Sequence, residues 1–400
     1  MDGWERTFHA YGPAADAGDL LDVIRRGDED TWVTQHPGAV WWRQLPYSYF
    51  WSALRAEGRI TPATVLALRY LVPAIRSDDF GGEDRTLRWA AAWWLRDVIR
   101  ALTDADLDDA RRMAARRDDP DVREWLDQYL REERSIYDWT DRDEPGRVLM
   151  AAAVVDGFDS LLSLFEPLSS LLTPHVPGMV RAASACAVAA LVGHPGLRRH
   201  REWVAAYLAA EADPESSDYR EVLVLELGLL GGDTTPWLAD PHVDVRVAAA
   251  LAPGLAGDET ATAVLRAASL DPAAAAVPFV YYSAQRVPSL LRAVAEALCD
   301  RADDFTPLLD SALAALGHEG KPIGDVPAEP YLGKAFPHGL PHDPTEAQRI
   351  FARAVADSEA PWAGDRRWAA VFARTGLPAG RQVWREAYLP DRAAGSPPGP

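Results

Sequence analysis

Two indoles and two guanidiniums recur at helical spacing in LRWAAAWWLRDVIRAL, residues 87–102. At about 100° per residue, Trp89, Trp93, Arg96 and Arg100 share one face, opposite Leu87, Ala91, Trp94, Leu95, Val98 and Leu102. A surface helix places polar residues opposite its apolar stripe, so two tryptophans there are unexpected. Trp and Arg are favoured anchors at binding surfaces, which makes these four the candidate partner- or ligand-binding residues. The competing expectation is a helix enclosed on both sides, its tryptophans packed against the N-terminal segment.

Other reactive side chains form weaker patterns. His338 and His342, in HGLPH, offer two imidazoles, yet Gly339 and Pro341 break the helical spacing that would aim both at one ion. Only Asp343 and His318 stand near as further ligands, so neither a metal nor a cofactor is expected. Arg111, Arg112, Arg116 and Arg117 run directly into Asp118 and Asp119. Positive charge late in a helix suits the macrodipole, so a solvated, ion-paired face is expected rather than a phosphate site. Paired carboxylates recur at Asp78-Asp79, Asp108-Asp109 and Glu132-Glu133, none in surroundings that would raise a pKa for acid–base work. The sequence holds no Gly-rich phosphate loop, nucleophile elbow or zinc-protease motif.

Composition narrows the partners. Sixty acidic and 41 basic side chains give a formal charge of −19. That field repels phosphate, so general nucleic-acid or anionic-membrane binding is not expected, and a basic protein partner suits it better. Lys321 and Lys334 are the only lysines; every other basic residue is arginine. Cys186 and Cys299 lie far apart in Ala/Leu-rich stretches and read as small buried residues. The N-terminus, MDGWERTFHAYGP, lacks the basic and apolar regions of a secretory signal. The longest apolar run, around Ala182–Val192, is too short to span about 30 Å of hydrocarbon, and a cytoplasmic protein is expected. Eight of the 15 tryptophans fall in the first 94 residues, suggesting a Trp-rich core or cap, with an aromatic-lined groove as the alternative.

The elements that must position these residues read as helices almost throughout. Thr61-Pro62 looks like an N-cap and first helical residue, and Pro73 should end or kink that helix. Further helices are expected near 104–116, 121–133, 147–155, 158–171, 178–192, 201–211, 218–230, 243–255, 258–269, 287–300 and 304–316. Weak internal repetition accompanies them: Asp121-Val122-Arg123 echoes Asp244-Val245-Arg246, and Val180-Arg181-Ala182-Ala183 echoes Val245-Arg246-Val247-Ala248. The arginines fall at intervals compatible with helical pairs of about 40 residues.

The stretch DPHVDVRVAAALAPGL, residues 240–255, resembles a HEAT repeat, in which an Asp ends the turn between helices and an Arg follows six residues on. The resemblance implies that Asp240 and Arg246 belong to a hydrogen-bonded ladder between stacked repeats. The spacing lapses elsewhere: Arg181, Arg292 and Arg88 have His175, Arg286 and Gly82 at the Asp position. YGPAADAGDLLDVI, TPATVLALRYLVPAI and PTEAQRIFARAVADSEAPW also resemble a group of actinobacterial HEAT-repeat proteins.

The expected architecture is therefore all-α, an alpha-alpha superhelix of roughly seven to nine antiparallel pairs. It comprises an array over 1–316 with an aromatic N-terminal cap (Trp4, Phe8, Tyr11), a Gly/Pro/His-rich loop at 317–344, a helical cap at 345–390 and a disordered tail at 391–400. The function expected is a non-catalytic scaffold or adaptor binding a protein along the concave face. The alternative is an enzyme, since HEAT-like arrays include DNA glycosylases of alkylated bases and resemble bilin lyases.

Overall fold

The computed structural model describes residues 3–28, 46–55, 58–132, 143–213, 219–271, 290–317, 326–364 and 366–388. Among these the protein is all-α apart from the antiparallel strands Phe8–His9 and Gly12–Pro13. It divides into two compact units, 1–230 and 231–400, at the Gly231-Gly232 turn, so the helices expected as one array over 1–316 are shared between them. Trp41-Trp42, His318, Lys321, Arg286 and the tail at 391–400 lie outside the described residues.

The first unit holds α1 (Ala17–Arg26), α2 (Pro46–Ser52), α3 (Pro62–Ala74), α4 (Arg85–Thr103), α5 (Leu107–Ala114) and α6 (Pro120–Glu132). It continues with α7 (Glu144–Ser160), α8 (Phe165–Ser169), α9 (Gly178–Leu191), α10 (Arg201–Glu211) and α11 (Arg220–Leu229). Helix α3 starts as its residues dictate: Thr61 accepts from the Thr64 amide, Pro62 occupies the first turn, and the helix stops one residue after Pro73. Helix α4 is the centre of the unit, packed against α1, α2, α3, α7 and α9. Its apolar face, Leu87, Ala91, Trp94, Leu95, Val98 and Leu102, is wholly buried, and each large side chain contributes about 1.5–3 kcal/mol by leaving water. Helix α9 meets it with an unbroken buried run from Ala182 to Val192, whose small residues let the two axes come close.

Phe8 is buried against Trp125 and Tyr129 of α6, and the indole of Trp4 lies over Gly18, where an added Cβ would meet it at 2.9 Å. Gly27, Gly81 and Gly82 all have positive φ because the end of α1 and the turn before α4 touch backbone to backbone; a Cβ on Gly27 would fall 2.0 Å from the Gly81 carbonyl oxygen. The pair of helices expected at 147–155 and 158–171 is instead one helix to Ser160, a 3-10 turn at Leu161–Leu164 and the short α8. By length and mean hydropathy alone the segment Glu144–Ser169 is apolar enough to cross a membrane, whereas Ala182–Val192 is the longer run free of charged residues. Asp156 and Asp159 interrupt it for the eye but not for its mean hydropathy.

The second unit holds α12 (Val243–Ala250), α13 (Glu259–Leu270), α14 (Leu290–Arg301), α15 (Leu309–Gly317), α16 (Glu329–Ala335), α17 (Glu346–Asp357), α18 (Arg366–Thr375) and α19 (Arg381–Tyr388). Alternate helices pack into two rows, α13–α15–α17–α19 and α14–α16–α18. Helix α16 lies inside the segment expected as a Gly/Pro/His-rich loop at 317–344; Pro330 sits in the first turn of this helix, where its missing N–H costs nothing. Helix α12 begins at Val243 and stops at Ala250, short of the expected 255, because Pro253 opens a separate 3-10 turn.

Arginines repeatedly satisfy carbonyl oxygens that helix ends leave unpaired. Arg88 donates to Ile75, Arg220 to Ala212, Arg201 to Leu230, Arg301 to Ala250 and Arg381 to Ala356. Each carbonyl lies at the end of a helix, where the macrodipole also favours a cation.

Candidate functional site

The stripe on α4 is enclosed rather than presented. Trp93 is 5% exposed, Trp89 is half-buried, and both guanidiniums are engaged by one carboxylate. Arg96 and Arg100 stand one turn apart on α4, so their heads converge, and Glu226 of α11 fills the gap. Arg96 Nε donates to Glu226 Oε1 at 2.8 Å, its Nη2 binds the same oxygen, and Arg100 Nη2 takes Oε2. Arg96 Nη1 reaches Asp97 Oδ1 at 3.0 Å, while the indole of Trp51 on α2 donates to Asp97 Oδ2 at 3.3 Å. Arg55 stands 3.8 Å from the same carboxylate. The Arg96 guanidinium also lies 5.6 Å from the centre of the Trp93 ring, within cation–π range.

Glu226 is 1% exposed, and the charges therefore interact through protein rather than water. Burial pushes the Arg96 guanidinium down, but the charges of Glu226 and Asp97 outweigh it and hold the group well above its ordinary value. Cys186 of α9 lies beside this cluster. Burial pushes its thiol far up and Glu226 adds to that, so no thiolate forms and the sulfur is a packing group. The cluster stitches α4 to α11 on either side of α9.

Sequence reasoning found half of this cluster and missed Glu226, Asp97, Arg55 and Trp51. One signal was available: REVLVLELGLL places Glu226 inside an apolar helical run, where an acid must find a cationic partner.

The remaining candidates resolve into structure. Arg117 pairs with Asp156, Arg111 with Asp159, Arg112 with Asp109, and Arg116 with Asp119 and Glu144, all at exposed positions. His338 and His342 are both exposed, and among the described residues no group of three or more metal-binding side chains is brought together. Arg246 donates to the carbonyls of Asp240 and Pro241 at 2.7 and 3.0 Å, closing its own preceding turn instead of reaching another helix pair. Arg181 and Arg349 likewise donate to the carbonyls of Val176 and Pro344, five residues before each, and Arg181 in addition reaches Glu211 of α10 at 2.8 Å. Glu329 of α16 binds Arg292 of α14 and Arg374 of α18, joining three helices of one row.

No family model, curated protein or solved structure matches the chain.

Of the large apolar side chains exposed among the described residues, two adjoin one aromatic group, Phe165, while Leu229, Leu270, Ile350 and Val383 are exposed elsewhere. Leu162 is 50% exposed and Trp203 on α10 is 47% exposed. Phe165 joins them, stacked on His200 at 4.3 Å and edge-on to Trp203 at 6.2 Å, and Tyr207 extends the row one turn along α10. Leu162 lies over Gly196, so close that a Cβ there would meet it at 2.8 Å. Arg198, Arg199 and Arg201 flank the row without a carboxylate partner among the described residues: Arg199 donates to His200 and Arg201 to the Leu230 carbonyl. Glu202 is the acidic member of the same stretch.

Proposed function

We propose that this chain is a non-catalytic protein-interaction scaffold, a HEAT-like stack of antiparallel helix pairs that grips a partner through the Leu162–Phe165–Trp203 row. The two rows of alternate helices in the second unit support the HEAT-like reading. The observation that carries the function is the exposed indole and leucine on adjoining elements, since a large apolar group left in water beside aromatic neighbours is characteristic of a contact surface. Although the whole chain is strongly acidic, three guanidiniums that pair with no carboxylate among the described residues border this row, so the contacting segment of the partner carries carboxylates beside an apolar anchor.

Affinity capture from the native host, repeated with a Leu162→Ser/Trp203→Ser variant and followed by reconstitution from purified components, tests the proposal. A partner that binds wild type at least about tenfold more tightly than the variant, with an affinity that falls as salt rises, is the expected result. Equal binding to both proteins, or no partner that survives reconstitution, overturns it.

A further inference from the structure

A cavity of about 280 Å³ opens in the first unit where five elements converge: the N-terminal segment, α3, the turn between α5 and α6, α6 itself, and α7. Its floor is apolar, with Phe8, Val65, Leu126 and Leu149 as the larger groups. Ala152 and Ala153 of α7 leave the space that longer side chains would fill. Its rim is charged and unevenly matched. Arg117 is paired with Asp156 at 2.9 Å, Asp118 with Arg123 at 3.2 Å, and Arg6 with Asp127 at 3.0 Å. Arg69 is the exception: it donates from Nη2 to the Asp156 carbonyl at 3.1 Å, and no carboxylate among the described residues lies within ion-pair distance of it.

We infer that this cavity is a binding site for a small amphipathic carboxylate, its apolar body on the floor and its anionic end on Arg69. The volume lies just below the about 300–1,000 Å³ of sites for drug-sized ligands, which limits the occupant to a compact aromatic or branched body. The charge follows from the rim, since a guanidinium fixed by a carbonyl but lacking an anion keeps donors free for a carboxylate in forked geometry. The site is separate from the Leu162–Trp203 row and does not depend on that surface being an interface.

The test titrates 3-phenylpropanoate, and 3-phenylpropanamide as its uncharged analogue, into the full chain with ligand-observed NMR. The carboxylate is expected to saturate with a Kd on the order of 0.1–1 mM, as ligand-efficiency limits allow so small a molecule, and the amide to bind at least about tenfold more weakly. Arg69→Gln, an exposed substitution, should reduce carboxylate binding to the level of the amide without changing the amide. Ala153→Met should remove binding of both by filling the floor, with thermal unfolding confirming that each variant folds. Equal affinity for acid and amide, an Arg69→Gln variant that binds the acid as wild type does, or no saturable binding by the wild type overturns the inference.

Discussion

Glu226 and Glu329 are each held by two arginines, one in each unit, and the two grips are built differently. Around Glu226 both arginines come from one helix, α4, and everything except part of Arg100 is buried. Around Glu329 the arginines come from different helices, α14 and α18, and Arg374, which binds in forked geometry, is 56% exposed. The buried grip exchanges hydration for Coulomb attraction across protein, a large cost against a large gain. The open grip leaves one cation in water, so both terms are smaller. Position rather than composition decides how much each triad matters.

The largest expected effect breaks the buried grip alone. Glu226→Gln removes the charge that holds Arg96 and Arg100 together and should cost about 3–5 kcal/mol, because Arg100 then loses its carboxylate and Arg96 keeps only that of Asp97. Urea unfolding should show a lower midpoint at unchanged slope. Replacing all three residues together (Arg96→Met, Arg100→Leu, Glu226→Leu) should restore most of that loss, since the whole triad leaves at once and the buried Asp97 keeps Arg55 and the Trp51 indole as partners. A triple variant as unstable as the single one would mean that the ion pairs themselves, not the cost of orphaning them, hold α4 to α11. Glu329→Gln should cost less, about 1–2 kcal/mol, because Arg374 can return to water when its partner is neutralised.

Acid separates the grips further. Burial pushes the Glu329 carboxyl up, but hydrogen bonds and charge from Arg374 and Arg292 outweigh it and hold it below the ordinary value. An unfolded chain then binds the proton more readily than the folded one, so this contribution is complete above the ordinary carboxylate pKa of about 4.3 and declines as pH falls through the lower folded value. The gap in unfolding midpoint between wild type and Glu329→Gln should therefore be constant near neutrality and shrink at the acid end. A gap that widens with acid would reverse the sign argued here.

How much of this was legible in the sequence depends on how far apart the partners lie. Thr61-Pro62 and Pro73 set the bounds of α3 through contacts within a few residues, and the buried face of α4 followed from its own periodicity. The stripe of Trp89, Trp93, Arg96 and Arg100 was visible for the same reason, but what faces it was not. Glu226 lies 126 residues beyond Arg100, and no local pattern couples the two. The cavity beneath Arg69 was equally hidden, because its walls come from five separate elements that only the fold assembles.

Arg246 extends the comparison to an arginine that grips no carboxylate, and here the smallest effect is expected. Its Nη1 binds two neutral carbonyls at the turn before α12, and the side chain is partly exposed. Arg246→Met leaves those oxygens able to find water, so the loss should be about 0.5–1.5 kcal/mol, the net worth of ordinary hydrogen bonds. Arg246→Lys is the sharper variant. It keeps the positive charge near the turn but replaces a planar fork with a single ammonium, which is poorly shaped to hold both carbonyls at once. If the turn needs only a cation, Lys should match wild type in thermal unfolding; if it needs the fork, Lys should fall close to Met. The second outcome is expected, and it would give a physical reason for a chain that uses arginine almost to the exclusion of lysine: a guanidinium can hold a carboxylate, a helix end or a turn with one set of donors.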